Sequence, residues 1–276
     1  MADFASIPGA AWLGTQHADV IDADAAFPGV LDNMLLTFGG NDYILAGKGH
    51  DFVDAGKGND TLFGGTGNDV LFGNNGNDRA DGGRGDDYID GGKGNDLLLG
   101  GEGRDTILAG DGKDTVDGGT GDDVIDAGKG DDVIDGGTGN DRLSGDDGHD
   151  TIFGGTGDDW IDGGKGHDLL AGANGKDTLI GGAGDDTLSG GADADTFYFE
   201  SKFGSDVVLD FRPGEDMLAL KAGINGTKIS QAADLAAHVK GGAMGAVISL
   251  GGDSITLVGV SRDDLLSNLS SYVKIV

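Results

Sequence analysis

The chain has no cysteine, three prolines, two tryptophans and only 18 basic residues among 276. The absence of cysteine excludes disulfide scaffolds and thiolate metal sites. Three prolines are too few for a collagen-like triple helix. The deficit of basic residues leaves a formal charge of −31, which excludes nucleic acid and anionic membrane as electrostatic partners and favours cations. No apolar stretch approaches the roughly 20 residues that a transmembrane helix needs. Met1 to Ala10 contain neither a basic segment nor an apolar core, so they are not expected to act as a Sec-type leader. Motifs of catalysis are missing too: there is no His-Glu-x-x-His, no Gly-x-Ser-x-Gly and no phosphate loop with Gly-Lys-Ser/Thr. The chain is therefore not expected to be an enzyme.

Glycine, by contrast, is abundant: 58 residues, about three times the ~7% of an average protein. Glycine-rich acidic chains are often disordered, but here the glycines keep strict time. From Ala46 to Tyr198 the sequence repeats every nine residues without an insertion or deletion, as Gly-Gly-x-Gly-x-Asp-x-apolar-x, for example Gly64 to Phe72. That stretch holds 17 units, and Thr37 to Leu45 matches in its second half. A fixed period of this kind specifies a stack of turns rather than a globule.

Three segments follow from the pattern: 1–36, an irregular N-terminal cap; 37–198, the repeat array; and 199–276, a C-terminal cap. Within the first, Gly14 to Asp22 reads as a worn repeat with Asp19 in the sixth place and Ile21 in the eighth, and the stretch to Leu36 as an insertion or cap. In the last, Ser230 to Lys240 predicts a short helix with Ser230 as N-cap. Ala246 to Val258 predicts two strands around a Gly-Gly-Asp turn. Ser261 to Asp264 predicts the opening of a final helix.

Inside each unit the glycines at places one, two and four allow positive φ and tight turning. Places seven to nine predict a short strand with alternating faces. The eighth place is apolar from Ile44 and Val53 to Leu188, Ala80 being the smallest, and is expected to point inward. Places seven and nine carry residues such as Arg79, Arg142, Asp54, Asp90 and Asp162 and are expected to face outward. Two units then close one coil of 18 residues, and stacked coils give two parallel sheets. Phe52, Val70 and Tyr88, two units apart at the seventh place, are expected to stack on one outer face with Phe72 nearby. One inward side chain per nine glycine-rich residues is a thin core for so large an entropy loss. Stacked carboxylates also repel one another, so a divalent cation between turns is expected to complete the fold.

The carboxylates sit at the sixth place of every unit: Asp42, Asp51, Asp60, Asp69, Asp78, Asp87, Asp96, Asp105, Asp114, Asp123, Asp132, Asp141, Asp150, Asp159, Asp168, Asp177, Asp186 and Asp195. With glycine-loop carbonyls they form an all-oxygen donor set of flexible geometry, which suits Ca²⁺ better than Mg²⁺. Zinc is disfavoured, because His17, His50, His149, His167 and His238 are scattered. Acid–base pairs such as Asp86-Asp87 and Asp131-Asp132 follow the phase of the repeat and so belong to the array rather than to catalysis.

The nonapeptide resembles the RTX repeat, a calcium-binding β-helix pattern. The stretch from Asp195 to Glu200 and that from Gly204 to Asp216 are similar to the flank that follows the last repeat in that family. The resemblance implies an all-β fold, a right-handed parallel β-roll, with a small mixed C-terminal cap. It implies calcium between a turn and the turn one coil further on, held by sixth-place Asp and loop carbonyls. Eighteen turns would offer up to about 16 such gaps, and sixteen Ca²⁺ would bring +32 against the formal −31. Asn74, Asp146 and Ala173 at the second place, and Asp193 at the fourth, depart from the pattern and are expected to weaken individual sites. The resemblance further implies export through a type I secretion apparatus, with Leu265 to Val276 as an uncleaved C-terminal signal or a final cap strand. Two roles then stand side by side. One is a secreted structural protein of a surface layer or biofilm matrix, able to form homo-oligomers or filaments. The other is a secreted effector or module that meets a surface polysaccharide or a membrane, or a module of a larger RTX enzyme.

Overall fold

The computed structural model describes residues 11–276. The Met1 to Ala10 segment considered above as a leader lies outside the described residues. The chain divides into two compact units, residues 1–138 and 139–276.

In the first unit fourteen short strands, from Ala11–Leu13 to Val133–Thr138, alternate between two parallel ladders. Partners are 18 residues apart within the array: Thr61 beside Arg79, then Leu97, Thr115 and Val133. The other ladder runs Phe52, Val70, Tyr88, Thr106 and Val124. The worn repeat takes its place at the start, with Val20–Asp22 pairing in parallel with Tyr43–Leu45. The stretch behind it is an insertion holding a four-residue helix, Ala23–Ala26.

Every eighth-place side chain of the array is at most 1% exposed, from Ile44 through Ala80 to Phe197. The strands are longer than the sequence suggests. Most run six residues, as Tyr43–Lys48 and Leu97–Glu102 do, and continue through the first three places of the next unit. The first place thus becomes a second inward position, filled by glycine or by the buried Ala46, Ala55, Ala109 and Ala127. The second-place glycine keeps the ladder in register while holding φ between +91° at Gly128 and +113° at Gly101. Where another residue stands at that place, the positive φ is kept but relaxed toward the left-handed region open to L-residues: Phe38 72°, Asn74 72°, Asp146 67° and Ala173 80°.

In the second unit the ladders run from Arg142 through Trp160, Thr178 and Thr196 to Met217, and from Thr151 through Leu169, Thr187 and Val207 to Thr256. Beyond the array the parallel order gives way to an antiparallel hairpin, Gly245–Leu250 with Asp253–Val258, turning at Gly251-Gly252 as expected. Ser261 caps the helix Arg262–Ser267, its Oγ accepting the Asp264 N–H. The segment from Ser230 differs from expectation. It is a 3-10 helix, Ala232–His238, with Gln231 rather than Ser230 at the N-cap, and Val239–Gly241 is a strand. The Asp234 carboxylate explains the shift: it accepts the N–H groups of both Ser230 and Gln231, which fixes the helix start one residue later. The C-terminal tail ends in the strand Val273–Ile275, parallel to Leu218–Leu220.

Glycine fills the fourth place of every unit but the last, where Asp193 stands. At these glycines φ reaches +108° at Gly49 and +150° at Gly166, and a Cβ on Gly67 would lie 1.8 Å from the carbonyl oxygen of Gly49, one coil earlier. Gly67→Ala is expected to destabilise the fold by about 1–3 kcal/mol and to raise the calcium concentration needed for folding, followed by circular dichroism. Thr66→Ala, at the exposed third place, should leave that midpoint unchanged.

Candidate metal centres

All 18 sixth-place aspartates are buried, none more than 3% exposed. Their two carboxylate oxygens have different surroundings. Oδ1 accepts the backbone N–H of the sixth-place residue one coil earlier. In the first unit one relay links Asp42, Asp60, Asp78, Asp96, Asp114 and Asp132 at 2.7–2.8 Å. A second links Asp51, Asp69, Asp87, Asp105 and Asp123. The second unit repeats the arrangement from Asp141 through Asp159 and Asp177 to Asp195, and from Asp150 through Asp168 to Asp186.

Oδ2 is buried and receives no hydrogen bond at Asp42, Asp51, Asp60, Asp69, Asp78, Asp87, Asp96, Asp105 and Asp114, nor at Asp159, Asp168, Asp177 and Asp186. It is turned toward the first-place residue of its own unit and a carbonyl one coil further on. A Cβ placed on Gly64 would meet Asp69 Oδ2 at 2.5 Å and the Gly82 carbonyl at 2.6 Å. The same pair recurs at Gly82 with Asp87 and Gly100, and at Gly163 with Asp168 and Gly181. Two acceptors face one small space in which no donor stands. A buried carboxylate oxygen without a donor costs free energy that a cation offsets, so these residues fit calcium.

Burial drives the carboxyls up, and neighbouring carboxylates add to it, against the lowering effect of the N–H at Oδ1. Asp78, Asp87, Asp159 and Asp195 rise to about 7, and Asp60, Asp69, Asp96, Asp105 and Asp186 to about 6. No cluster of three or more His, Asp or Glu stands together among the described residues. Each ion would therefore draw most of its ligands from backbone carbonyls, an oxygen set of the kind Ca²⁺ accepts.

The fifth place has a function that the sequence conceals. Asn41, Asn59, Asn77 and Asn95 each accept, through Oδ1, the N–H of the fifth-place residue one coil later. His50, His149 and His167 do the same through Nδ1. That use of the imidazoles is structural. The role escaped the sequence reading because Asn, Asp and His share acceptor chemistry without sharing an identity.

The sixth-place relay also extends past the array. Asp19 donates its N–H to Asp42 and Asn33 to Asp51 at the start, while Asp186 donates to Asp206 and Asp195 to Asp216 at the end. The signal for the last two was available: Gly204-Ser-Asp-Val-Val and Gly214-Glu-Asp-Met-Leu are half-repeats, Gly-x-Asp-x-apolar, displaced by insertions.

Apart from the turns, the second unit carries a cleft of about 730 Å³ lined by Trp160, Tyr198, Asp146, Asp162, Lys165 and Glu200. The Arg142 guanidinium lies 3.9 Å over the Trp160 ring. In the first unit Phe52 and Phe72 (5.6 Å between rings) and Phe72 and Tyr88 (5.8 Å) form a half-buried aromatic row.

Parallel coils with rows of buried, donor-free carboxylate oxygens define a calcium-binding β-roll. The chain belongs to the RTX calcium-binding nonapeptide repeat family, whose profile matches residues 36–71, 72–107, 108–143, 135–170, 144–179 and 171–201. Among solved structures it is similar to a hyperactive, Ca²⁺-dependent, β-helical antifreeze protein from an Antarctic bacterium (19% identity, TM-score 0.50, 80% of this chain and 86% of that one). It is also similar to the extracellular lipase LipA from Serratia marcescens (21% identity, TM-score 0.37, 82% of this chain and 40% of that one). A third is the AlgE6R3 subunit of the Azotobacter vinelandii mannuronan C5-epimerase (26% identity, TM-score 0.23, 52% and 77%). The search of curated proteins found no match.

The raised carboxyls set a pH dependence. In the unfolded chain these groups titrate near 3.8, in the metal-free fold near 6 to 7. The fold therefore holds more protons than the unfolded chain, and this stabilisation is fully present below about pH 4 and lost as pH rises through 6 to 7. Calcium-free protein should accordingly show more β structure by circular dichroism at pH 5 than at pH 8, where the carboxyls are ionised and the fold depends on calcium.

Proposed function

We propose that this protein is secreted unfolded, folds on calcium outside the cell and serves there as a structural component of a cell surface, surface layer or biofilm matrix, able to associate with itself. The sixth-place aspartates are the carboxylate ligands and the loop carbonyls complete each site. The observation that carries this reading is the buried row of donor-free Oδ2 atoms. Without a cation the fold confines like charges in a dry interior, so low calcium leaves the chain unfolded and exportable, and millimolar calcium closes the coils. Export through a type I apparatus, with the segment from Leu265 as its signal, is compatible with that switch. The strand Val273–Ile275 would then have a second role in the folded cap. No helix among the described residues is long and apolar enough to cross a membrane.

Self-association draws support from apolar side chains left on outer faces. Tyr43, Val133, Phe153 and Leu169 are more than 40% exposed. A calcium titration followed by circular dichroism and light scattering tests the whole reading. The expected result is a coil-to-β transition together with growth into large particles that EDTA disperses. A transition in which particles stay monomeric removes the matrix role and leaves the calcium-folded module. No transition at millimolar calcium overturns the mechanism.

A second reading, a module that meets a surface polysaccharide, is favoured by the cleft at Trp160. An indole and a tyrosine ring among carboxylates and a lysine match what sugar rings use: an apolar face for stacking and charged groups for their hydroxyls. In this case Trp160 fluorescence should shift on adding neutral oligosaccharides to the calcium-loaded protein. Trp160→Ala should abolish binding while leaving the calcium transition intact.

A further inference from the structure

Two columns of sixth-place residues run through the second unit, and they end differently. One passes from Asp186 to Asp206, whose Oδ2 is buried without a hydrogen bond like those before it. The other passes from Asp195 to Asp216, and there a cation is already present. Arg212 Nη2 lies 3.4 Å from Asp195 Oδ2 and 3.0 Å from Asp216 Oδ1. The same nitrogen donates to the carbonyl of Asp193. The Arg212 backbone N–H and Nε hold Asp216 Oδ2 at 2.6 and 3.3 Å.

The oxygens gathered by that one nitrogen come from places that recur in the other turns of the array. They are the fourth-place carbonyl, the sixth-place carboxylate of the same turn and the sixth-place carboxylate one coil further on. The turn that presents them is reshaped. Its fourth place is the only one in the array without glycine, and Asp193 adopts φ +65°, where the fourth-place glycines Gly58 to Gly103 lie between +125° and +144°. The Asp195 carboxylate is 0% exposed, and Asp216 1%, whereas the arginine side chain is 36% exposed. The guanidinium thus enters from the surface and places its charge among buried anions.

We infer that Arg212 is a built-in cation that takes the place of a calcium ion and closes this column. A guanidinium stays charged at any physiological pH and presents a fixed fork of donors. Its position is therefore filled whether calcium is scarce or abundant. The gap between Asp195 and Asp216 takes no metal, while the equivalent gap of the other column, between Asp186 and Asp206, remains a calcium site. The number of ions is then set by one side chain beyond the array as well as by the count of repeats. This rests on the reading of the sixth-place aspartates as calcium ligands.

The test has two parts. In calcium-loaded crystals of the full wild-type chain, anomalous scattering should give calcium peaks beside Asp159, Asp177 and Asp186 and none within coordination distance of Asp195 Oδ2 and Asp216 Oδ1. A calcium peak between Asp195 and Asp216 overturns the inference. The absence of peaks at every sixth-place aspartate instead overturns the ligand reading on which it rests. Calcium bound per folded chain, counted by elemental analysis after gel filtration, gives the second part. Arg212→Gln should bind one calcium ion more than wild type, since it opens an all-oxygen site, and Arg212→Lys should bind the wild-type number. An unchanged count in folded Arg212→Gln counts against the inference. If that variant does not fold, the crystallographic peaks decide.

Discussion

The close approach of one turn to the next governs this molecule. At the fourth place the carbonyl of one coil lies so near the α-carbon of the next that even a methyl group is excluded; at Gly76 a Cβ would sit 1.5 Å from the Gly58 oxygen. This contact explains why glycine is almost invariant there, and it sets the spacing at which the sixth-place carboxylates follow one another. At that spacing Oδ1 can reach the preceding backbone N–H, and Oδ2, as at Asp69 and Asp87, is left facing a carbonyl one coil further on. Tight stacking and the need for cations are one constraint seen from two sides. A looser stack would admit water between the carboxylates and lose the ladder.

Much of this was legible in the sequence because the repeat states it 17 times. The eighth-place apolar residues, the turn glycines and the sixth-place aspartates each announce themselves by identity at a fixed phase. What was hidden depends on geometry or on shared chemistry. The first place turns inward only because the second-place glycine lets the strand continue through a positive φ, so Ala46 and Ala127 become core residues that periodicity of nine alone does not mark. The fifth place is defined by an acceptor atom that Asn, Asp and His all possess. Asp206 and Asp216 lie beyond insertions of two and three residues, measured by relay spacings of 20 and 21 in place of 18, and such insertions hide a register from a search for strict repeats. The 3-10 helix from Ala232 starts where one carboxylate, Asp234, happens to capture two N–H groups, a competition between near-equal caps.

The architecture also separates two kinds of information. Inward places and turns are occupied by what folding requires, and they vary little. The seventh and ninth places vary freely, from Asp90 and Asp126 to Phe72, Trp160 and Tyr198. Those outer residues stand in straight rows, because the ladder keeps every seventh place beside the seventh place 18 residues on. The row of Phe52, Phe72 and Tyr88 and the cleft at Trp160 are among the places where these outer rows carry aromatic residues rather than small or charged ones.

The alternation of strands between two ladders carries a consequence for how such a chain can change in length. Adding or deleting a pair of units returns every later strand to its own sheet, and the rows on both faces remain continuous. Adding or deleting a single unit sends every later strand to the opposite sheet, so that each outer row is cut and joined to the other's continuation. Both changes preserve the core and the turns, since inward places are alike on the two sides. Natural variants that keep their surface should thus differ by multiples of 18 residues, and a variant differing by nine would be a molecule with the same interior and a rewritten exterior.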